Sequence, residues 1–158
     1  MTTKRKALFT MGLPGAGKST VASKRYNINE LAVVDPDIFK ESHPDYDPKD
    51  PGALHEWSSK QAEHYFSALL FEGSEDIMVD GTGTNAEKMI RRINQAKAAG
   101  YEVELLYVSV PLRVALERNA NRERVVPESI LREKALDIST AFEIVAPYAD
   151  SVVVVNNS

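Results

Sequence analysis

The chain has 158 residues, of which 43% are hydrophobic and 27% are charged. This is the size of one domain and the composition of a soluble globular protein, so it excludes a disordered chain, a collagen-like repeat and a membrane protein. The chain has no cysteine, which excludes a disulfide framework and a thiolate metal site. Its net charge of −4 disfavours nucleic-acid binding over a broad face. We expect one cytoplasmic domain over residues 1–158 without a membrane contact.

Short apolar segments alternate with amphipathic ones along the chain. We predict strands over residues 7–11, 31–34, 77–79, 103–110 and 151–155. Helices are predicted from about 18, over 54–71, from about 86, over 111–121 and from 127, with a loop over 42–52. Thr84 and Glu87 have the spacing of a capping box. This alternation predicts an α/β/α sandwich in three layers with a five-stranded, mainly parallel sheet.

A glycine-rich loop follows the first predicted strand. The run from Gly12 to Ser19 matches G-x-x-x-x-G-K-[ST] in full. Glycines let the main-chain N–H groups turn toward phosphate oxygens, and the helix that follows adds its positive end. Lys18 is expected to reach the β- and γ-phosphates, and the Ser19 hydroxyl to bind Mg²⁺. The motif predicts a P-loop site for a triphosphate such as ATP, contacted by Gly12, Gly15, Ala16, Gly17, Lys18, Ser19 and Thr20.

Acidic residues follow the second and third predicted strands, where ligands of parallel sheets bind. If the third strand lies beside the first, Asp80 faces the magnesium that Ser19 binds. Asp35 and Asp37 flank Pro36, and one of them could deprotonate an acceptor hydroxyl. The alternative is a helix start, with Asp35 as N-cap and Pro36 at the first position. We expect both, with Asp35 as the cap and Asp37 as the reactive group.

Four arginines lie within twelve residues, at positions 113, 118, 122 and 124. The segment over 118–127 joins two predicted helices, where a lid would lie. An arginine of such a lid neutralises charge as a phosphoryl group moves. The alternative is a set of weak surface ion pairs with Glu117, Glu123 and Glu128.

Three segments together resemble a known family: the loop over 12–20, the run D-x-D-x-F-K-x-x-H-P over 35–44, and D-G-T-G over 80–83. Gly100–Val103 and Val110–Pro111 also fit. The chain resembles the zeta-toxin group of P-loop kinases and, more distantly, the kinase domains of polynucleotide kinases. The resemblance implies a P-loop kinase fold and a phosphotransferase that uses ATP, Mg²⁺ and an alcohol acceptor.

The resemblance also implies roles for particular residues. Asp37 matches the base of the family, and Arg118 and Arg124 match two arginines that handle the transferred phosphoryl group. Known toxins of this kind phosphorylate the sugar of UDP-N-acetylglucosamine at its 3′-hydroxyl. Glu63 matches an acidic substrate contact, and we expect the acceptor to meet Asp35, Glu63, Thr82 and Thr84.

This chain departs from the toxins at several positions. Thr84 stands in place of an arginine, Asp80 in place of a glutamate, and the lid segment is short. The chain starts one strand before the loop, without the extension that meets the antitoxin, which makes an antitoxin partner doubtful. We expect a small acceptor: a sugar nucleotide, a nucleoside or a related molecule. Two alternatives stay open, a kinase of polynucleotide 5′-hydroxyls or hydroxymethylated bases in DNA, and a nucleotide-binding switch module.

Overall fold

The computed structural model describes residues 4–50, 53–81, 83–122 and 125–158. One sheet holds five strands: β1 (Lys6–Met11), β2 (Leu31–Val34), β3 (Asp76–Val79), β4 (Glu102–Ser109) and β5 (Ser151–Asn156). The strand order is β2-β3-β1-β4-β5, and every neighbouring pair is parallel. The predicted sheet is confirmed, and the described strands are parallel throughout rather than mainly so.

Six α-helices connect these strands: α1 (Lys18–Arg25), α2 (Pro36–Ser42), α3 (His55–Glu72), α4 (Ala86–Ala98), α5 (Leu112–Ala120) and α6 (Glu128–Val145). Gly73 ends α3 with a left-handed φ of 64°, as its place after the apolar pattern predicts. No helix in the described ranges has both the length and the hydropathy needed to cross a bilayer.

The start of α4 differs from the prediction. Asn85 is its N-cap, and the Asn85 side chain accepts a hydrogen bond from the Lys88 N–H at 3.1 Å. The predicted capping box of Thr84 and Glu87 is therefore wrong by one residue. Asn caps at least as well as Thr, because its carbonyl oxygen reaches the same free N–H groups. The shift leaves Thr84 in the loop that borders the strand ends.

The sheet is covered by helices on both faces. Successive residues of β1 point to opposite faces, so Phe9 enters one hydrophobic cluster and Leu8 the other. The larger cluster packs β1 against α3, α4 and α6, and the Phe9 and Phe66 rings meet edge to face at 6.1 Å. The smaller one packs Val21 of α1 against Leu8. Burying one such side chain contributes about 1.5–3 kcal/mol, so both faces hold β1 in place.

The strand order decides where a ligand can bind. In the sheet, β1 lies between β3 and β4. The carboxyl ends of β1, β2 and β3 lie at the same edge because these strands are parallel. In open parallel sheets, a crevice forms at the point where the order changes direction, outside the carboxyl ends of the strands. The glycine-rich loop, Asp35 and Asp80 all follow strands at this edge.

Candidate active site

A cavity of 1080 Å³ lies at the carboxyl ends of the strands, large enough for a nucleotide and a second small molecule. The glycine-rich loop, α2, the start of α3, α4 and the segment between α5 and α6 form its walls. The predicted site residues that line it are Gly15, Gly17, Lys18, Ser19, Thr20, Asp35, Asp37, Asp80, Thr84 and Arg118.

The loop is built around two glycines with left-handed backbone. Gly15 has φ 87° and Gly17 has φ 84°, and both conformations are costly for other residues. A Cβ added to Gly15 would lie 2.5 Å from the Ala115 carbonyl oxygen of α5. Ala16 and Gly12 are buried behind the cavity surface, so only their main chain can contribute. The sequence therefore specifies a loop whose main chain packs directly against α5.

Lys18 is the first residue of α1 and lines the cavity. Its ammonium donates a hydrogen bond to the Gly12 carbonyl oxygen at 3.0 Å, which holds the side chain across the loop. Burial lowers the pKa of Lys18, and the negative charge of Asp80 opposes that shift. A cation in this position is suited to pairing with phosphate oxygens.

The carboxylate of Asp80 is oriented by a buried hydroxyl of β1. Thr10 donates a hydrogen bond to Asp80 Oδ1 at 2.7 Å and accepts one from the Gly81 N–H at 3.3 Å. Since β3 pairs directly with β1, Asp80 stands at the end of the strand beside the loop, as predicted. Ser19 is exposed on α1 and lines the same cavity. A hydroxyl and a carboxylate are hard oxygen ligands of the kind that fits Mg²⁺.

The two aspartates around Pro36 have different environments. Asp35 is the N-cap of α2 and accepts a hydrogen bond from the Asp37 N–H at 2.9 Å, with Pro36 at the first helical position. This confirms the predicted helix start. Asp37 lines the cavity, and its carboxylate lies 3.8 Å from the ammonium of Lys40. Lys40 is only 4% exposed, so this ion pair fixes the Asp37 side chain against the body of the protein.

Of the three clustered arginines that the structure describes, two meet the cavity. Arg118 donates a hydrogen bond to the Ala16 carbonyl oxygen at 3.2 Å, so α5 is tied to the loop. Arg122 also lines the cavity, whereas Arg113 is exposed elsewhere. Arg124 lies outside the described residues. Of the acidic partners weighed in the alternative, Glu128 pairs instead with Arg132, at 2.8 Å.

The other residues predicted to contact the acceptor do not all line the main cavity. Thr84 lines the cavity, and Thr82 lies outside the described residues. Glu63 projects from α3 toward α4, where it accepts a hydrogen bond from Arg91 at 3.1 Å. It lines a separate cleft of 250 Å³ rather than the main cavity. Periodicity places Glu63 on a polar face but does not tell which helix covers that face.

The cavity is lined by a group of basic residues that the sequence motifs did not predict. The lining of the main cavity carries seven Lys or Arg side chains against four carboxylates, although the whole chain has a net charge of −4. Partial burial, together with nearby cations, lowers the pKa of His55. The spacing of Lys88 and Arg92, four residues apart after D-G-T-G, was a signal that could have identified one helix face. The missed residues are Lys40, His55, Lys88, Arg92 and Lys134.

Comparison with known proteins identifies the family of this chain. A family model described as Zeta toxin matches residues 2–158. The toxin zeta of Streptococcus pyogenes is 28% identical over 116 residues, which cover 66% of this chain and 39% of that protein. The L-seryl-tRNA(Sec) kinase of Methanococcus maripaludis is 26% identical over 131 residues, covering 79% of this chain and 49% of that one.

A solved structure shares the fold. The structure described as the PezAT chromosomal toxin–antitoxin system of Streptococcus pneumoniae superposes with a TM-score of 0.75 at 18% identity. The match covers 99% of this chain and 71% of that one. The fold is that of P-loop kinases, and this chain spans about two fifths of the length of the curated toxin it matches. The chain belongs to the zeta toxin family.

Proposed function

We propose that the protein is a kinase that transfers the γ-phosphoryl group of ATP to a hydroxyl of a small acceptor. The acceptor class is a sugar nucleotide, a nucleoside or a related molecule, and the reaction takes place in the cytoplasm. The observation that carries the proposal is that Lys18 at the start of α1, Asp80 directly after β3 and Asp37 of α2 line one cavity.

The donor side of the cavity comprises the loop over 12–20, Asp80 and Arg118. Main-chain N–H groups and Lys18 would hold the phosphates, as the helix start and the left-handed glycines favour. Ser19 and Asp80 would hold Mg²⁺, which supplies positive charge beside the β- and γ-phosphate oxygens when bound. Arg118, anchored on the Ala16 carbonyl oxygen, would neutralise charge that develops during transfer. Arg124 is proposed for the same role on the family resemblance alone.

The acceptor side comprises Asp37, His55, Ser59, Thr84, Lys88 and Arg92, which line the cavity from α2, α3, α4 and the loop before α4. Asp37 would accept the proton of the acceptor hydroxyl while its oxygen bonds to the γ-phosphorus. The bond from the γ-phosphorus to the bridging oxygen breaks, and ADP leaves with the electron pair. Lys40 keeps the Asp37 carboxylate in position for this step. Asp35 and Thr84 would contact the acceptor directly. Glu63, which accepts a hydrogen bond from Arg91 of α4, would influence the acceptor only by positioning that helix.

Radiolabelled transfer from γ-labelled ATP tests the proposal directly. The panel holds UDP-sugars, nucleosides, 5′-hydroxyl oligonucleotides and hydroxymethylated DNA, with Lys18→Ala as the negative control. Label that moves to a small acceptor and requires Lys18 supports the proposal. Slow hydrolysis that no acceptor accelerates would favour the switch module instead.

A nucleic-acid acceptor is the second candidate, favoured by the relative named for a tRNA substrate and by the cationic lining of the cavity. In the same panel it predicts label on a polynucleotide. The rate would fall steeply as salt rises, because each phosphate contact releases a counterion. A rate on oligonucleotides that is insensitive to salt would contradict this candidate.

The matched toxins favour a biological role for the same chemistry, which is arrest of growth under the control of an antitoxin. Induced expression in a bacterial host tests this role, with Lys18→Ala as the matched control. Arrest by the parent chain alone supports the role, and equal growth of the two strains overturns it.

A further inference from the structure

We propose that Arg92 and Lys88 of α4 form an anion site on the acceptor side, so that the preferred acceptor carries a phosphate or a carboxylate near its reactive hydroxyl. The inference deepens the proposed kinase function and rests on it. It starts from an arginine that is buried beside the cavity without full hydrogen bonding.

Arg92 is 8% exposed, and it lines both the main cavity and the smaller cleft behind it. Its Nε and Nη2 atoms are buried and have no hydrogen-bond acceptor among the described residues. The carboxylate of Glu63 lies 3.7 Å from Nη2, too far for a hydrogen bond. Glu63 is already used by Arg91, which donates to it at 3.1 Å. Arg92 is thus held close to one carboxylate while part of its donor set stays unused.

A buried donor without an acceptor is costly, about 1–3 kcal/mol and more for a charged group. Native proteins seldom keep such groups unless a ligand or another partner completes them. Burial lowers the pKa of Arg92, because a charged guanidinium is less stable away from water. A planar guanidinium with free donors is suited to the paired oxygens of a phosphate or carboxylate.

Lys88 lies one helical turn before Arg92, so both side chains share one face of α4. It also lines the main cavity, and burial together with the charge of Arg92 lowers its pKa. Two cations placed this close repel each other, and an anion between them would remove the repulsion. On the α3 side of the cavity, the lining residue Ser59 is one turn before Glu63, so α3 and α4 bound the same space.

Arg92 and Lys88 belong to a different element from the residues proposed to hold the donor phosphates. Lys18 is the first residue of α1 and Arg118 belongs to α5, whereas Arg92 lines the cavity from α4. Asp37 of α2 faces the same cavity. An acceptor with its anionic group on Arg92 could therefore present a hydroxyl to Asp37 without competing for the loop.

Binding of inorganic phosphate tests the site without catalysis. The full chain is loaded with Mg²⁺ and a non-hydrolysable ATP analogue, and phosphate is titrated while the melting temperature is recorded. We expect phosphate to stabilise the parent and the Arg91→Gln variant, but not Arg92→Met. Arg91 is the matched control because it pairs with the same Glu63 and does not line the main cavity. Equal stabilisation of all three proteins, or of none, would overturn the inference.

Acceptor kinetics provide the second readout and separate phosphate from carboxylate. Each neutral sugar or nucleoside of the panel is compared with its phosphate ester and with its carboxylate analogue. The anionic form should be preferred, and Arg92→Met should raise the KM for the anionic form about 100-fold, far more than it raises the KM for the neutral form. Lys88→Met should produce a smaller rise. Uniform loss on neutral and anionic acceptors would instead indicate a structural role and overturn the inference.

The two proposals can fail separately. Transfer that prefers neutral acceptors would remove the anion site and leave the kinase in place. Absence of binding by the ATP analogue would count against the kinase only, because the phosphate titration can be repeated without nucleotide in a Lys18→Met background. In that background, stabilisation that still requires Arg92 would support the anion site.

Discussion

On the donor side, a short loop presents main-chain groups, whereas on the acceptor side three helices present side chains. The loop is continuous in sequence, and its shape follows from Gly15 and Gly17 at left-handed φ. The acceptor side includes residues as distant in sequence as Asp37 and Arg92, which line one cavity only because β2, β3 and β1 are neighbours in the sheet. A motif can therefore identify the donor, but the acceptor depends on tertiary contacts that a motif does not contain.

The largest expected effect is on the donor side, at Lys18. Lys18→Ala removes the ammonium that is held across the loop by the Gly12 carbonyl oxygen. We expect phosphoryl transfer to fall by about 10³-fold or more, with weaker ATP binding. The reason is that the Lys18 ammonium no longer neutralises the negative charge of the phosphoryl group during transfer. Single-turnover transfer and calorimetric binding of ATP measure the two effects. Parental transfer by this variant would separate the loop from the reaction.

Thr10→Val tests the link between the strand and the carboxylate of Asp80. The variant removes the 2.7 Å hydrogen bond that orients Asp80 and leaves the shape of a buried residue almost unchanged. We expect the Mg²⁺ concentration for half-maximal activity to rise by about 10-fold, the usual cost of losing a partner that orients a metal ligand. Thr10→Ser keeps the hydroxyl and should stay near the parent. An unchanged Mg²⁺ dependence in the valine variant would remove Asp80 from the metal site.

Gly15→Ala tests the main-chain character of the donor side. The added Cβ would meet the Ala115 carbonyl oxygen at a φ of 87°, so the loop must shift away from α5. We expect a loss of about 1–3 kcal/mol in the free energy of unfolding. In a chain of this length, each kcal/mol lowers the melting temperature by about 2–4 °C. Gly81→Ala is the control for stability, since a Cβ there meets no atom within 4 Å. Equal melting of the two variants would show that the loop tolerates a side chain.

The smallest expected effect is at Asp35, on the border between the two sides. Asp35→Ala removes the N-cap of α2, which should cost about 1 kcal/mol of stability. Asp35→Asn keeps the accepting oxygen and should melt close to the parent. Chemical denaturation of the three proteins measures the difference. Equal stability of the alanine and asparagine variants would show that the cap does not hold α2.

The sequence predicts those features of the molecule that are determined by residues close together in the chain. Alternating apolar strands and helices, the loop motif and the Asp35–Pro36 helix start all depend on neighbours in the chain, and each is found as predicted. The predicted N-cap of α4 was wrong because Thr84 and Asn85 are both residues that cap helices well, and only the folded backbone decides which of them takes that position. The partner of Glu63 could not be predicted because it belongs to another helix.

The basic lining of the whole cavity shows the same limit of prediction from sequence. Seven basic side chains line the cavity of a chain whose net charge is negative, and they come from five separate helices and one connecting segment. Their number in the sequence is ordinary, and only the packing of the helices places them together. The acceptor itself is consequently the part of the function for which experiments matter most.

The most direct test of the central claim is the behaviour of Asp37→Asn. The claim is that this carboxylate, held by the buried Lys40, takes the proton of the acceptor hydroxyl. Single-turnover transfer is measured beside ATP affinity on the same preparation. We expect transfer to fall by about 10³-fold while the Kd for ATP stays within about twofold of the parent. Transfer at the parental rate would contradict it.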